Sequence, residues 1–184
     1  QAAAYKMPAV AITDHGNLFG AVEFFKKASK SGIKPIIGCE VYVAPGSRLD
    51  RSKTTMDDGL SEEAAFHLIL LAKNSDGYKN LTTLVSKAYL EGFYYKPRVD
   101  KELLEQYSGG LIGLSACLKG EVPYFLSRGQ TDKAREAALM YKHILGPENF
   151  FLEIQHNGMP EQEEANHRLV ELSRELHIPL VATN

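Results

Sequence analysis

Residues 9–17, AVAITDHGN, contain the change from apolar strand to polar turn that decides the fold. Small and β-branched residues predict a buried strand that stops where Asp14 and His15 stand side by side before a glycine. Such a pair either begins a metal or catalytic site or is structural, with Asp14 capping the next helix and His15 packed against backbone. Asn17 is at least as good an N-cap as Asp14, which leaves Asp14 and His15 available for chemistry.

The composition is that of an ordinary globular protein. The 184 residues are 44% hydrophobic and 24% charged, and the formal net charge is −2. That balance excludes a strongly basic chain but not a local basic face for nucleic acid. Two cysteines make no disulfide framework, no apolar run approaches the roughly 20 residues that span a bilayer, and no signal peptide is visible. We therefore predict a cytoplasmic protein with no membrane partner.

Short apolar runs alternate with amphipathic segments along the chain. The predicted strands cover residues 9–13, 35–44, 67–73, 110–115, 150–155 and 179–183. The predicted helices cover residues 17–31, 78–91, 101–106, 131–145 and 161–177. The alternation predicts an α/β fold, with a mostly parallel sheet of barrel-like shape and helices outside it. We expect residues 1–184 to be one domain and an internal fragment of a longer chain, and the polar residues 45–63 to be an exposed loop.

The ends of the predicted strands carry a set of metal-binding side chains. In parallel α/β folds the carboxyl ends of the strands hold the chemistry, and here they carry His15, Glu40, Cys117 and His156. Such ligands suit zinc, manganese or iron, and their wide separation favours an open catalytic site over a zinc finger. Taken alone, Cys117 is more often a small buried hydrophobe, and His156 stays open between the two interpretations.

Glu40 and Cys39 are neighbours in an apolar strand and must point to opposite faces. An unpaired buried carboxylate is costly, so Glu40 needs a partner, whereas Cys39 is assigned to the core. His67 is harder to place because it begins its strand rather than ending it. Either the preceding loop returns it to the site or its strand runs antiparallel to its neighbour, and we favour the antiparallel strand.

Two longer segments carry a family resemblance. The stretch AITDHGNLFGAVEFFKKASKSGIKPIIGCEVYVA resembles PHP (polymerase and histidinol phosphatase) domains. The stretch GYKNLTTLVSKAYLEGFYYKPRVD is similar to the branch found in alpha subunits of bacterial replicative DNA polymerase III. The resemblance implies a distorted (βα)7 barrel related to the TIM barrel, incomplete in this chain, with up to three divalent metal ions at its strand ends.

The resemblance also assigns site residues. It implies that His15, Glu40, His67 and Cys117 are metal ligands, with Asp14 beside them. We predict His15 and Asp14 as catalytic residues, Asp14 by orienting a ligand. Two further family motifs, His-x-His and Asp-x-His, would lie before and after this chain, so the site is expected to be incomplete.

The implied activity is metal-dependent phosphoester hydrolysis, acting as a 3′→5′ exonuclease on a DNA primer end within a replicative polymerase. The implied partners are DNA and other replicase subunits. Two alternatives stay open: a PHP domain that braces the polymerase without chemistry, and a free-standing PHP phosphatase. Lys96 and Arg98 are candidates for phosphate contact, although a basic surface loop is the commoner case.

Overall fold

The computed structural model describes residues 1–51 and 65–183, and alternating strands and helices fill this part of the chain. The strands are β1 (Ala9–His15), β2 (Lys34–Val43), β3 (Phe66–Ala72), β4 (Arg98–Val99), β5 (Leu111–Leu114), β6 (Phe150–Gln155) and β7 (Leu180–Thr183). The helices are α1 (Ala21–Lys30), α2 (Ser75–Leu90), α3 (Lys101–Gln106), α4 (Glu121–Ser127), α5 (Thr131–Leu145) and α6 (Pro160–Leu176). None of these helices is long and apolar enough to cross a membrane.

The strands form one curled sheet in the order β1-β2-β3-β5-β6-β7, with β4 paired to β2. Within the described residues the sheet does not close on itself, because β1 and β7 are its edges. This architecture confirms the predicted α/β fold and an incomplete barrel. Most of the predicted loop 45–63 lies outside the described residues.

Alternation along the strands separates an outer from an inner apolar layer. On β2, Cys39 and Val41 face outward into the main core beneath the helices, where Cys39 is fully buried. On β3 and β5, Ile69 and Leu114 face the barrel interior and form a smaller cluster. The assignment of Cys39 to the core is therefore confirmed, and Glu40 points to the interior.

Strand β3 runs against its two neighbours. It pairs antiparallel with β2 and with β5, whereas β1 pairs parallel with β2 and β5 parallel with β6. The register places His67, the second residue of β3, opposite Tyr42 near the end of β2. The antiparallel strand predicted for His67 is confirmed, and the reversal brings His67 to the edge where β1 and β2 end.

The start of α1 differs from the prediction. The helix begins at Ala21 rather than Asn17, and its N-cap is Gly20. Asn17 forms a tight turn instead, accepting from the Phe19 N–H and donating to the His15 carbonyl. The Asp14 carboxylate accepts the Gly20 N–H at 3.3 Å, so the prediction that Asn17 replaces Asp14 at this helix start was wrong.

Two elements were absent from the prediction. Strand β4 has two residues, too few to show a period, whereas α4 has seven residues of which nearly all are buried, so its sequence lacks the alternating polar face of an amphipathic helix. Helix α4 is largely buried, and its Glu121 accepts hydrogen bonds from the Tyr141 hydroxyl and from Lys101, each at 2.7 Å. This buried carboxylate ties α4 to α5 and α3.

The Tyr141–Glu121 bond gives a test of this packing. We expect Tyr141→Phe to lower the free energy of unfolding by about 1–3 kcal/mol, because a buried carboxylate oxygen loses its donor. Chemical denaturation of this chain measures the change. Tyr78→Phe on exposed α2 surface is the matched control and is expected to stay within about 0.5 kcal/mol of the wild type; an equal loss in both variants contradicts the structural role.

Candidate metal centre

Glu40 joins the two histidines that the sequence separates by 52 positions. Its Oε1 lies 2.7 Å from His15 Nδ1 and also 2.7 Å from His67 Nδ1. The register explains the meeting, because His15 pairs with Glu40 on β1–β2 and the side chains of paired residues share a face. The carboxylate side chain is only 12% exposed, whereas that of His15 is 70% exposed at the mouth of the barrel.

Cys117 reaches the same place through the turn after β5. The His67 N–H donates to the Lys119 carbonyl at 2.9 Å, and the Gly120 N–H donates to the Cys117 carbonyl at 2.7 Å. This pairing folds the turn against the start of β3, where Cys117 and the His67 ring share a hydrogen bond. His15, Glu40, His67 and Cys117 thus form one chain of contacts.

The contacts change the acidity of three groups. Burial lowers the pKa of His67, but its hydrogen bond to Cys117 and the Glu40 carboxylate outweigh burial and raise that pKa to about 9. The bond from His67 lowers the pKa of Cys117 despite burial. Burial raises the pKa of Glu40, yet the two imidazoles together hold it below its usual value. The protonated form of His67 is therefore favoured, because this imidazolium lies between the Cys117 thiolate and the Glu40 carboxylate.

The donor atoms suit a divalent metal but do not complete a site. His67 Nδ1 is buried and close to Glu40, yet the carboxylate oxygen lies off its donor direction, so this nitrogen makes no hydrogen bond with any described residue. Two imidazoles, a carboxylate and a thiolate are the ligand types of zinc and related ions. Within residues 1–51 and 65–183, however, no three such side chains are arranged to hold a metal ion. The chain supplies part of a ligand set.

Two other predicted residues lie apart from this cluster. Asp14 is paired with Cys39 in the register and so shares the outward face, and the Gly20 N–H is its hydrogen-bond partner. The ring of His15 is held by Glu40, not by Asp14. The His156 side chain is 86% exposed, and its Nδ1 lies 4.0 Å from Glu163 Oε1. The catalytic role of Asp14 stays a prediction.

Gly16 makes the sharp exit from β1 next to His15. Its φ of +67° lies in the left-handed region, and its N–H donates to the Glu40 carbonyl at 2.8 Å. A Cβ on Gly16 would lie 2.9 Å from the Tyr42 ring and 3.0 Å from Pro97. Pro97 lies next to Gly16 because β4 pairs with β2 just beyond the point where the pairing of β1 with β2 ends.

A buried polar group that was not among the predicted site residues lies further along the sheet. Glu153 on β6 is 3% exposed, and its Oε1 accepts from Gln155 and from the Thr183 hydroxyl. Its other carboxylate oxygen is buried and has no hydrogen-bond partner in the part of the chain that the structure describes. Glu153, like Glu40, is a carboxylate within an apolar strand, and the same sequence pattern predicts that it needs a partner.

With this geometry in place, comparison with known proteins identifies the family. A model of the PHP domain matches residues 1–157. The chain belongs to the PHP domain family. A similar solved structure comes from Bifidobacterium adolescentis and is provisionally assigned as a metal-dependent phosphoesterase. The match covers 99% of this PHP chain and 78% of the Bifidobacterium chain, with a TM-score of 0.55 and 13% sequence identity. At that identity the likeness concerns the fold alone.

Curated relatives of this PHP domain are named DNA polymerase III subunit alpha. The proteins of Treponema pallidum, Aquifex aeolicus and Thermus aquaticus are 53%, 49% and 52% identical over 96%, 97% and 96% of the chain. The chain spans 15%, 15% and 14% of their respective lengths.

Gly16→Ala tests whether the turn needs glycine for steric as well as backbone reasons. We expect it to lower the free energy of unfolding by about 1–2 kcal/mol more than Gly32→Ala. Gly32 has a similar φ of +71° but open space around its Cβ position, so the pair shares the backbone strain and differs in the contacts with Tyr42 and Pro97. Equal losses, measured by chemical denaturation, would show that those contacts do not matter.

The two cysteines are expected to differ in reactivity. In a chelating buffer, iodoacetamide should alkylate Cys117 well before Cys39, because the pKa of Cys117 is lowered while burial raises that of Cys39 to about 12. A lowered pKa gives more thiolate at neutral pH, so removing the imidazole in His67→Ala should move the midpoint of the Cys117 rate to higher pH. Mass spectrometry of the peptides measures both rates, and an unchanged midpoint in His67→Ala contradicts the pairing.

Proposed function

We propose that this chain is the PHP domain of a bacterial DNA polymerase III alpha subunit and that it hydrolyses phosphodiester bonds in the intact protein. The activity proposed is a metal-dependent 3′→5′ exonuclease acting on the primer end. The observation that carries the proposal is the contact chain of His15, Glu40, His67 and Cys117 at one end of the sheet. The polymerase relatives, each much longer than this chain, support the setting.

His15, Glu40, His67 and Cys117 would hold the metal ions, zinc, manganese or iron, and further ligands would come from outside this chain. When bound, such ions lower the pKa of water to about 7 and clamp phosphate oxygens. Glu40 orients both imidazoles through one oxygen, and Cys117 contributes a thiolate at the buried side. His15 faces solvent, where a DNA end would arrive.

The proposed setting implies which partners the protein has and where in the cell it works. DNA and the other replicase subunits are the partners, and polymerisation belongs to parts of the protein outside residues 1–184. We propose a cytoplasmic location and assign residues 1–184 to a single domain. Asp14 is proposed as a residue that positions the β1–α1 connection next to His15, through its bond to Gly20.

One observation favours a second candidate, a PHP domain that braces the polymerase without chemistry. Within the described residues no three of the donor side chains are arranged to hold a metal ion. A bracing domain would keep His15, Glu40 and His67 as a cluster of ion pairs and would need no metal.

The deciding experiment uses the full-length protein that contains this chain. Metal content and release of the 3′-terminal nucleotide from labelled DNA are measured for the wild type, His15→Ala and Glu40→Ala. We expect each substitution to lower the nuclease rate at least about 100-fold and to reduce bound metal, since loss of even an outer partner costs 10–100-fold. The polymerase rate of each variant reports whether the protein is still folded.

His143→Ala is the matched control, because that side chain is 76% exposed on α5, and its ion-pair partner is Glu105 rather than a residue of the cluster. It should retain the wild-type nuclease rate and metal content. Two results together would overturn the catalytic proposal and favour the bracing domain. They are a wild type that binds no metal, and nuclease rates in His15→Ala and Glu40→Ala that equal the wild-type rate.

A further inference from the structure

Exposed aromatic side chains follow α2 toward the candidate metal centre. Tyr89 and Phe93 are 42% and 48% exposed, and their rings stack with centroids 6.1 Å apart and an interplanar angle of 26°. Tyr95, at the tip of the next turn, is 59% exposed. Exposed apolar side chains that contact one another, as Tyr89 and Phe93 do, mark a binding surface more often than a scattered single residue does.

The patch is connected to the metal centre through Tyr42. The Tyr42 ring meets the His67 ring edge-on, with centroids 5.2 Å apart. Tyr89 lies close enough to Tyr42 for their side chains to interact electrostatically. Lys96 Nζ lies over the Tyr42 ring, 4.7 Å from its centroid. We call Tyr42, Tyr89, Phe93 and Lys96 the aromatic strip.

The turn that carries Lys96 is strained. Tyr95 has a φ of +57°, and the Lys96 N–H donates back to the Tyr94 carbonyl at 2.6 Å. A bulky residue in the left-handed region costs of order 1 kcal/mol. In this conformation the Tyr95 ring lies at the tip of the turn and the next residue, Lys96, contacts the Tyr42 ring.

The charges around the strip favour an anionic partner. Arg48 and Lys87 are neutralised by Glu91, and Arg48 also by Asp100. In residues 1–51 and 65–183 no carboxylate lies within ion-pair distance of Lys96. Arg98, the other candidate for phosphate contact, is buried and donates to the backbone carbonyls of residues 48, 50 and 92, so its role is structural.

We propose that the aromatic strip binds the unpaired end of single-stranded DNA, with bases stacked on Tyr89 and Phe93 and a phosphate on Lys96. Aromatic rings beside positive charge are the elements that bind single strands without reading their sequence. The inference rests on the proposed function, since the strip would lead the 3′ end from solvent to His15 and His67.

The test is photocrosslinking of the full-length protein in a chelating buffer, without metal or turnover. The probe is a single-stranded oligothymidylate whose two 3′-terminal bases are 4-thiothymidine, and the crosslinked peptides are mapped by mass spectrometry. We expect the crosslink in residues 88–98. Tyr89→Leu and Phe93→Leu should each raise the half-saturating DNA concentration at that site about tenfold.

The matched controls lie at the other end of α2. Tyr78 is 40% exposed, and Lys79 is an exposed lysine on the same helix, so Tyr78→Leu and Lys79→Gln should stay within about twofold of the wild type. Lys96→Gln should flatten the dependence of log affinity on log salt by about 0.7, as for loss of one phosphate contact on a single strand, and Lys96→Arg should restore it. Polymerase rates show that the variants are folded.

The outcomes separate the two proposals. The absence of a crosslink in residues 88–98, as expected if another part of the protein covers the strip, overturns the inference whatever the nuclease rate. An unchanged crosslink in Phe93→Leu overturns it as well, as does a preference of more than tenfold for the matched RNA probe. His15→Ala should keep the crosslink while losing hydrolysis. A crosslink without any metal-dependent hydrolysis in the wild type supports the strip and refutes the exonuclease.

Discussion

The buried carboxylate of Glu40 is the constraint on which the rest of the site depends. It stands on the inward face of an apolar strand, where an unpaired negative charge would be costly, and it is satisfied by two imidazoles from two neighbouring strands. The same oxygen therefore fixes His15 and His67 at once. The Gly16 N–H also donates a hydrogen bond to the Glu40 carbonyl, and β1 ends at that point.

The reversed direction of β3 makes this arrangement possible. In an all-parallel sheet the first residues of a strand lie at the edge opposite the ends of its neighbours. Because β3 is antiparallel, His67 instead stands beside Tyr42, and the turn after β5 can bond to it and deliver Cys117. One change of strand direction thus gathers residues from four segments of the chain at one edge.

Much of this was predictable from local pattern. Glu40 within an apolar strand predicted a partner, alternation predicted Cys39 in the core, and the alternating elements predicted the α/β fold. The family resemblance selected His67 and Cys117 as ligands, whereas local pattern left His67 hard to place and Cys117 more often a buried hydrophobe. The start of α1 was misread because Asn17 and Asp14 are equally good caps in sequence, and only the fold shows which oxygen meets the Gly20 N–H.

The sequence by itself determined which residues are buried or polar and where most strands and helices lie, because burial and periodicity are properties of neighbouring residues. Only the tertiary structure decided which distant side chains meet. Lys96 over Tyr42, the bonds of Arg98 to backbone carbonyls and the buried, half-paired Glu153 all depend on strand direction and register. Those are set by packing across the whole sheet, which no local pattern records.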